Sequence, residues 1–265
     1  MKKHVISCVL AVGALGAFVL WAQSAAEITA PAGGSQNPVK AKKKKGPPTG
    51  PIPRLADGHV DLSGVWNGGG PVGDLAQGMP KGEAIPLNAA GLKVMQSRES
   101  KDDPEANCLP TGIPRIAPYP WRIVQTATHI FFLFEGNIHS FRQIFIDGRK
   151  HVEDPDPTWY GDSIGSWDGD TMVVDTIGFN DKFWFDFRGH PHSEKLHTIE
   201  RYTRLDYGQM RVQTTIDDPT YYTKPFAVTF MATLRPGEEL MEYICQENQQ
   251  DAAHLKGGAD APSRP

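Results

Sequence analysis

A run of ionisable side chains among aromatic residues lies between Phe183 and His197. It contains three histidines, His190, His192 and His197, together with one arginine and two acids. Imidazoles titrate near neutral pH, which suits acid–base catalysis, and neutral imidazoles also bind divalent metals. Alternate residues of an extended chain point the same way, so His190 and His192 are expected to share a face. The run therefore predicts acid–base chemistry or a metal ion held by His190 and His192, with an inert surface loop as the alternative.

Charged residues of two predicted strands form a second candidate site. His139 and Arg142 belong to one of these segments, and Glu200 belongs to the other. A barrel lines its interior with alternate residues, and buried charge is costly unless it is paired, so such residues often mark a site. His139 and Glu200 are predicted to act with the histidines in catalysis, and Arg142 to bind a charged part of the substrate. In the alternative, these residues face water on the outer surface.

Two further arginines and two tryptophans are candidate substrate-binding residues. Arg115 and Arg122 could clamp a carboxylate or sulfate group with their guanidinium groups. Trp159 and Trp184 could stack on a sugar or aromatic ring, although tryptophans of small β domains more often belong to the core.

Several reaction classes lack their sequence signatures. The chain has no glycine-rich phosphate loop followed by a helix and no HExxH. No nucleotide cofactor is therefore expected, and a divalent metal is the one cofactor considered. The formal net charge of -4 gives no electrostatic reason to expect a nucleic-acid partner.

The elements that position these residues are predicted to be strands. Segments rich in β-branched and aromatic residues alternate with turns such as Asp168-Gly169 and Pro236-Gly237. These segments span residues 123–134, 141–146, 171–177, 198–202, 210–216, 227–234 and 240–245. One helix is predicted from about Leu87 to Glu99, with Asn88 as its cap. About eight or more sequential antiparallel strands indicate an all-β fold, either a β-barrel or a β-sandwich.

The start of the folded part favours the barrel. The segment Asp61-Leu62-Ser63-Gly64-Val65-Trp66 resembles the Gly-x-Trp that begins the first strand of lipocalins and other calycins. In those proteins the tryptophan plugs one end of the barrel. The resemblance therefore implies a calycin-like antiparallel barrel with Trp66 at one end.

Five segments resemble a family of uncharacterised secreted bacterial proteins. They span residues 57–66, 108–115, 163–171, 176–181 and 242–248, and include Ser-Ile-Gly-Ser-Trp-Asp-Gly-Asp-Thr and Glu-Tyr-Ile-Cys-Gln-Glu-Asn. The resemblance implies export and a shared fold, and it supplies no catalytic residues.

The N-terminus has the three parts of a secretory signal peptide. Two lysines precede an apolar run from Val5 to Trp21, and small residues follow it. A retained membrane anchor is the alternative. We therefore predict a signal peptide over residues 1–25, a disordered Pro/Lys-rich linker over 26–56, one β domain over 57–250 and a flexible tail over 251–265. The protein is expected to be periplasmic or secreted, with membrane contact only through the signal segment or the basic linker.

Signal removal leaves two cysteines, Cys108 and Cys245. In an oxidising compartment an even pair is most simply a disulfide. The alternatives are two buried free thiols or a catalytic thiol. The segments that carry both cysteines belong to the secreted family described above, which agrees with the disulfide.

Three functional hypotheses follow. The first is an exported lyase or hydrolase that acts on a sugar or aromatic compound by His/carboxylate chemistry, and it requires a pocket in which these groups meet. The second is a calycin-like protein that binds a small ligand without turnover, and it requires an apolar cavity. The third is a structural or interaction protein of the envelope with an exposed apolar patch.

Overall fold

The computed structural model describes residues 46–136 and 139–248, and over these ranges nine strands form a closed β-barrel. The strands are β1 Gly64–Gly68, β2 Trp121–Gln125, β3 His129–Phe134, β4 Ser140–Phe145, β5 Asp162–Asp168, β6 Thr171–Ile177, β7 His197–Arg204, β8 Gln209–Asp217 and β9 Phe226–Leu234. They follow one another in chain order, and β9 closes the barrel against β1. The predicted all-β barrel is confirmed.

One pair among the described strands departs from the antiparallel pattern. β4 and β5 run parallel, and only Ile144 with Ser163 and Phe145 with Ile164 are paired between them. Parallel neighbours need a crossover connection, which is supplied here by residues 146–161. The prediction of a wholly antiparallel barrel is therefore wrong at this junction, which we call the seam.

Alternation along the strands decides which side chains enter the barrel. In β7 every second residue is buried, beginning with Thr198 and ending with Arg204. The inward positions of all strands meet in one core, and many large side chains there are at most 2% exposed. They include Trp66, Trp121, Phe132, Ile144, Met172, Val174, Tyr202, Met210, Val212 and Val228. Side chains therefore fill the barrel interior.

Two of the strand predictions need correction. The segment predicted as one strand over 123–134 is a hairpin, because residues 126–128 turn between β2 and β3. The segment predicted as a strand over 240–245 is not one, and it leads into a 3-10 turn at Cys245–Asn248. β1 already pairs with β2 and β9, so the closed sheet has no free edge at which the chain after β9 could pair.

The predicted helix is confirmed as α1, which spans Ala89–Ser97. Asn88 caps it, and its side chain accepts a hydrogen bond from the Gly91 N–H at 2.9 Å. Among the described residues, none of the helices has the length and apolar character needed to cross a bilayer.

Three connections interlock at the end of the barrel where β1 ends and β2 begins. They are residues 69–120, 178–196 and 218–225, which we call the cap. The Phe187 N–H donates to the Val72 carbonyl at 3.0 Å, and the Asn88 N–H donates to the Tyr221 carbonyl at 2.9 Å. The cap therefore holds the segment of the predicted histidine site against two other parts of the chain.

The opposite end of the barrel is organised around Trp66 and Arg204. Trp66 is fully buried, and its indole N–H donates to the Leu62 carbonyl at 2.9 Å. The Arg204 guanidinium carbon lies 5.1 Å from the centre of the Trp66 ring, and the group donates to three backbone carbonyls nearby. The last residues of the predicted linker reach this end of the barrel, where the Tyr207 N–H donates to the Gly50 carbonyl at 2.9 Å. The predicted signal peptide and tail lie outside the described residues.

Cys108 and Cys245 form a disulfide, as predicted, with their Cα atoms 5.6 Å apart. The bond joins the cap to the chain after β9 across a sequence separation of 137 residues. It therefore fastens a segment that no strand pairing holds.

We expect the Cys108→Ser/Cys245→Ser double variant to lose about 4 to 5 kcal/mol of unfolding free energy, because the unfolded chain regains the entropy of a long closed loop. Urea unfolding monitored by fluorescence measures the loss. Reductant should lower the urea concentration at which half of the wild-type protein is unfolded, and it should leave that concentration unchanged for the variant. A wild-type midpoint that does not respond to reductant would contradict the assignment.

Candidate functional site

The five residues predicted to be catalytic lie in four environments. His190 and His192 are buried in the cap, and Glu200 is buried inside the barrel. His197 begins β7 with a half-exposed side chain, and His139 precedes β4. In the part of the chain that the structure describes, no hydrogen bond or ion pair joins any two of these five residues. The single constellation predicted from the sequence is thus divided among separate groups.

His190 forms a hydrogen-bonded pair with Asp186. Its Nδ1 lies 2.6 Å from Oδ2 of the fully buried carboxylate, which also accepts the N–H groups of Leu75 and His190 itself. Burial alone would raise the pKa of Asp186, but hydrogen bonds and charge from His190 outweigh it and lower that pKa. Because the ionised carboxylate only accepts, Nδ1 donates a proton to it, and in a neutral ring Nε2 then presents a lone pair.

Asp74 completes a group of three possible metal ligands in the cap. Its carboxylate, that of Asp186 and a ring nitrogen of His190 all lie within 4.8 Å of one another. The predicted metal ligand His190 belongs to this group, whereas the second predicted ligand, His192, does not. Asp74 lies more than a hundred residues before Asp186, so no local spacing in the sequence indicates it.

His192 is a packing residue. Its ring lies 3.8 Å from the centre of the Phe183 ring and 5.1 Å from that of Phe185. Burial lowers the pKa of His192 to about 3, so the imidazole is neutral at pH 7. Its Nε2 is buried without a hydrogen-bond partner among the described residues. An imidazole enclosed in this way reaches neither solvent nor a substrate.

Glu200 and Arg142 bind each other inside the barrel. Two guanidinium N–H groups meet the two carboxylate oxygens, one of them at 3.1 Å. The Tyr202 hydroxyl also donates to Glu200, at 2.5 Å, while Arg142 donates to Ser163 at 3.2 Å and to Thr176 at 2.8 Å. The inward orientation that the sequence left open is therefore correct for both residues. Arg142 and Glu200 thus pair with each other, and Ser163, Thr176 and Tyr202 supply further hydrogen bonds.

An open cleft of about 490 Å³ follows the seam on the outside of the barrel. Its walls are residues 139–143 and 145 on the β4 side and residues 158–163 on the β5 side, with Pro110. Three predicted site residues, His139, Arg142 and Trp159, therefore line one cleft, which we call the seam cleft. Tyr160 and Ser140 join its two walls by a hydrogen bond of 2.7 Å between their hydroxyl groups.

A chain of four side chains begins in the wall of the seam cleft. Asp162 Oδ2 lies 2.8 Å from His151 Nδ1, and His151 Nε2 lies 3.1 Å from Asp175 Oδ1. The same oxygen of Asp175 lies 2.7 Å from His197 Nε2. We call Asp162, His151, Asp175 and His197 the His/Asp chain. The sequence indicated only His197, because its partners come from the crossover, β5 and β6.

Two of the remaining candidate residues, Arg115 and Trp184, lie in the cap and stabilise it. Arg115 is fully buried, and its guanidinium pairs with Asp103 at 3.0 Å and with Glu105. Asp103 and Glu105 therefore occupy the guanidinium N–H groups that a ligand carboxylate would need. Trp184 is also buried, beneath the guanidinium of Arg98, which lies 4.8 Å from the centre of its ring.

Arg122 lines a second open cleft of about 640 Å³, beside Arg204 and Arg235. Its Nε is buried without a partner in the described ranges, and one N–H lies 3.5 Å from the Glu238 carbonyl. This cleft shares no lining residue with the seam cleft, so Arg122 is not positioned to hold a substrate there.

Comparisons with protein-family models, curated proteins and solved structures find no match to this chain. The function must therefore be argued from the geometry of these groups.

The buried pair gives a prediction about stability. Glu200→Gln should cost about 3 to 5 kcal/mol of unfolding free energy, because it leaves the Arg142 charge buried and unpaired. The matched control is Arg201→Gln, one residue along β7, which breaks an exposed pair with Asp168 and should cost under about 1 kcal/mol. The Arg142→Met/Glu200→Leu double variant should recover much of the loss. Equal effects of the two glutamine variants in urea unfolding would refute the prediction.

Burial of His192 should make the unfolding free energy depend on pH. Below its ordinary pKa of 6.5 the unfolded chain binds a proton that the folded protein excludes down to about pH 3. Unfolding free energy should therefore fall as pH drops through this window, by up to about 1.4 kcal/mol per pH unit from this residue.

His192→Phe and His192→Leu should remove that contribution, so their unfolding free energies should depend less on pH between 6.5 and 4. His59→Gln, in a more exposed position at the other end of the barrel, should keep the wild-type slope. Chemical unfolding at a series of pH values tests this, and parallel curves for wild type and both His192 variants would contradict it.

Proposed function

We propose that the protein is an exported enzyme of lyase or hydrolase type, which binds a sugar or aromatic compound in the seam cleft and acts by His/carboxylate acid–base chemistry. One observation carries this proposal: the cleft has aromatic walls, and its acidic wall residue, Asp162, begins the His/Asp chain. Export is supported by the disulfide between Cys108 and Cys245, since such bonds persist in oxidising compartments.

The lining of the seam cleft suits a ring. The Phe141 side chain is exposed, at 60%, and Trp159 lies on the opposite wall, so both can stack on a flat apolar face. A volume of about 490 Å³ falls within the range of small-molecule sites. His139 accepts a hydrogen bond from the Tyr243 N–H at Nε2, at 2.8 Å, so a neutral ring presents Nδ1–H as a donor. The cleft therefore offers stacking surfaces and a few polar groups.

The His/Asp chain supplies a route for a proton. Asp162 is the candidate base, which removes a proton from the substrate in an elimination or from water in a hydrolysis. With its ring proton on Nε2, His151 can take this proton at Nδ1 and release the Nε2 proton to Asp175. Asp175 in turn contacts His197, whose side chain is 39% exposed. The chain thus connects the cleft wall with solvent.

A protein that binds its ligand without turnover is the second candidate. It is favoured by contacts that already engage Asp162, whose Oδ2 accepts the Val152 N–H at 3.1 Å and lies 2.8 Å from His151 Nδ1. A carboxylate that is held in this way can orient a ligand without exchanging a proton. The ligand would again lie in the seam cleft, because side chains fill the interior in which a calycin-like cavity was expected.

Binding of ring compounds in the seam cleft is tested first. Phe141→Ala removes an exposed ring, so the variant should fold normally and bind ring compounds about tenfold more weakly, as expected for one lost stacking contact. A panel of aryl glycosides, sugar lactones and aromatic esters can be screened by tryptophan fluorescence. Phe131→Ala is a control that alters an aromatic side chain on β3, outside the cleft lining. If both variants bind as the wild type does, the seam cleft is not the site.

Turnover of any panel compound that binds is then measured. Asp162→Asn should lower kcat by about 10² to 10⁴ with little change in KM, because it removes the base and keeps the shape of the cleft. Binding without turnover by the wild type would establish the second candidate. A loss of turnover in His190→Gln with none in Asp162→Asn would move the chemistry to the Asp186–His190 pair.

A further inference from the structure

Three arginines from distant parts of the chain line the second open cleft, which we call the arginine cleft. They are Arg122, Arg204 and Arg235, and the cleft has a volume of about 640 Å³ at the end of the barrel that holds Trp66. It shares no lining residue with the seam cleft. The arginine cleft is therefore separate from the surface to which the ring compound is assigned.

Arg122 and Arg235 lie in one row on the outer face of the barrel. Arg122 is paired with Val65 on β1, and the Arg235 N–H donates to the Val65 carbonyl at 2.8 Å. Residues that lie opposite one another in a sheet point to the same face, and the next residue, Trp66, points into the core. Adjacent strands are about 4.8 Å apart, so the backbones of the two arginines are separated by roughly 10 Å. Two long side chains can meet over Val65 from this distance.

Arg122 has hydrogen-bonding capacity that the protein leaves unused. A guanidinium group offers five N–H donors. The Nε of Arg122 is buried without a partner among the described residues, and its contact with the Glu238 carbonyl is long, at 3.5 Å. A buried donor without a partner is costly, so an acceptor supplied by a ligand would stabilise this side chain.

We propose that the arginine cleft binds a small organic acid, whose carboxylate pairs with Arg122 and Arg235. Carboxylates accept paired hydrogen bonds from guanidinium groups, and these charge-assisted bonds are stronger than neutral ones. Arg235 is held loosely, since its ion pair with Glu238 spans 3.9 Å and both side chains are about half exposed. Exposed pairs of this kind contribute little to stability, so a ligand carboxylate can take the place of Glu238.

The charges that line the cleft differ in their exposure to water. Arg204 is buried, and its guanidinium donates to three backbone carbonyls. Burial lowers the pKa of Arg204, so an anion nearby would stabilise its charged form. Of the three acids in the lining, Glu238 and Glu239 are exposed, where water and salt screen their charge, and Asp61 accepts the Ser63 N–H at 2.8 Å. The least screened charge in the cleft is therefore positive.

The rest of the lining suits an apolar ligand body. Val65, Val124 and Leu234 supply aliphatic side chains, and Val124 is 39% exposed. Tyr207 adds an aromatic ring and a hydroxyl group. A volume of about 640 Å³ falls within the range of small-molecule sites. A monocarboxylic acid with an apolar body therefore fits better than an inorganic anion, which would leave this wall without a contact.

Calorimetric titration of the purified protein with hexanoate, a carboxylate without a ring, tests the proposal. Hexanamide carries no charge, and it should bind about tenfold or more weakly because it loses the charge-assisted hydrogen bonds. Arg122→Gln and Arg235→Gln should each weaken hexanoate binding by a similar factor. Arg211→Gln is the matched control, because it makes the same change of charge at an exposed position of β8 outside the cleft, and it should bind hexanoate as the wild type does.

A crystal structure with hexanoate should place its carboxylate about 2.7 to 2.9 Å from guanidinium nitrogens of Arg122 and Arg235. Four results would overturn the proposal: no saturable binding of hexanoate, equal binding of hexanoate and hexanamide, sulfate binding as tight as that of hexanoate, or unchanged binding in both cleft variants. An equal loss in Arg211→Gln would also overturn it, by assigning the effect to overall charge. The ligand comparison uses the wild type, so a variant that folds poorly does not decide the outcome. Phe141→Ala should bind hexanoate normally, so the seam cleft and the arginine cleft can each fail separately.

Discussion

Closure of the barrel between β1 and β9 is the constraint on which the other features depend. Once both edges of β1 are paired, the chain after β9 has no edge to join, and the disulfide to Cys108 fastens it instead. Closure also removes the interior from water, so any charge inside must be paired. Arg142 and Glu200 satisfy that requirement with their neighbouring hydroxyl groups. The charges of Arg142 and Glu200 are thus paired within the barrel.

The seam is where this closed sheet is least regular. Antiparallel neighbours are joined along most of their length, whereas β4 and β5 share two residue pairs and then diverge. Divergence opens the seam cleft, and the crossover that parallel pairing requires carries His151 and Trp159 to the outer face. One topological exception therefore supplies a concave surface, its aromatic wall and half of a His/Asp constellation.

Features set by neighbouring residues could be predicted from the sequence. The Asp168-Gly169 turn, the Asn88 cap and most strands depend on local backbone preference and alternation, and the disulfide was predicted from the small number of cysteines in the chain. The parallel pair could not be predicted, because it depends on how the barrel closes. The site partners were missed for a related reason, since Asp74 meets His190 and Asp175 meets His197 only after distant segments pack together.

Three histidines, His192, His190 and His151, show that the partner, rather than the residue type, determines what an imidazole can do. His192 packs on aromatic rings without a carboxylate, and burial lowers its pKa until it behaves as an apolar side chain. His190 has one carboxylate, which fixes its tautomer and leaves a free nitrogen. His151 has two, which is one more than a neutral ring can satisfy. These two carboxylates come from β5 and β6, so the packing of separate strands, rather than the local sequence, gives this ring its partners.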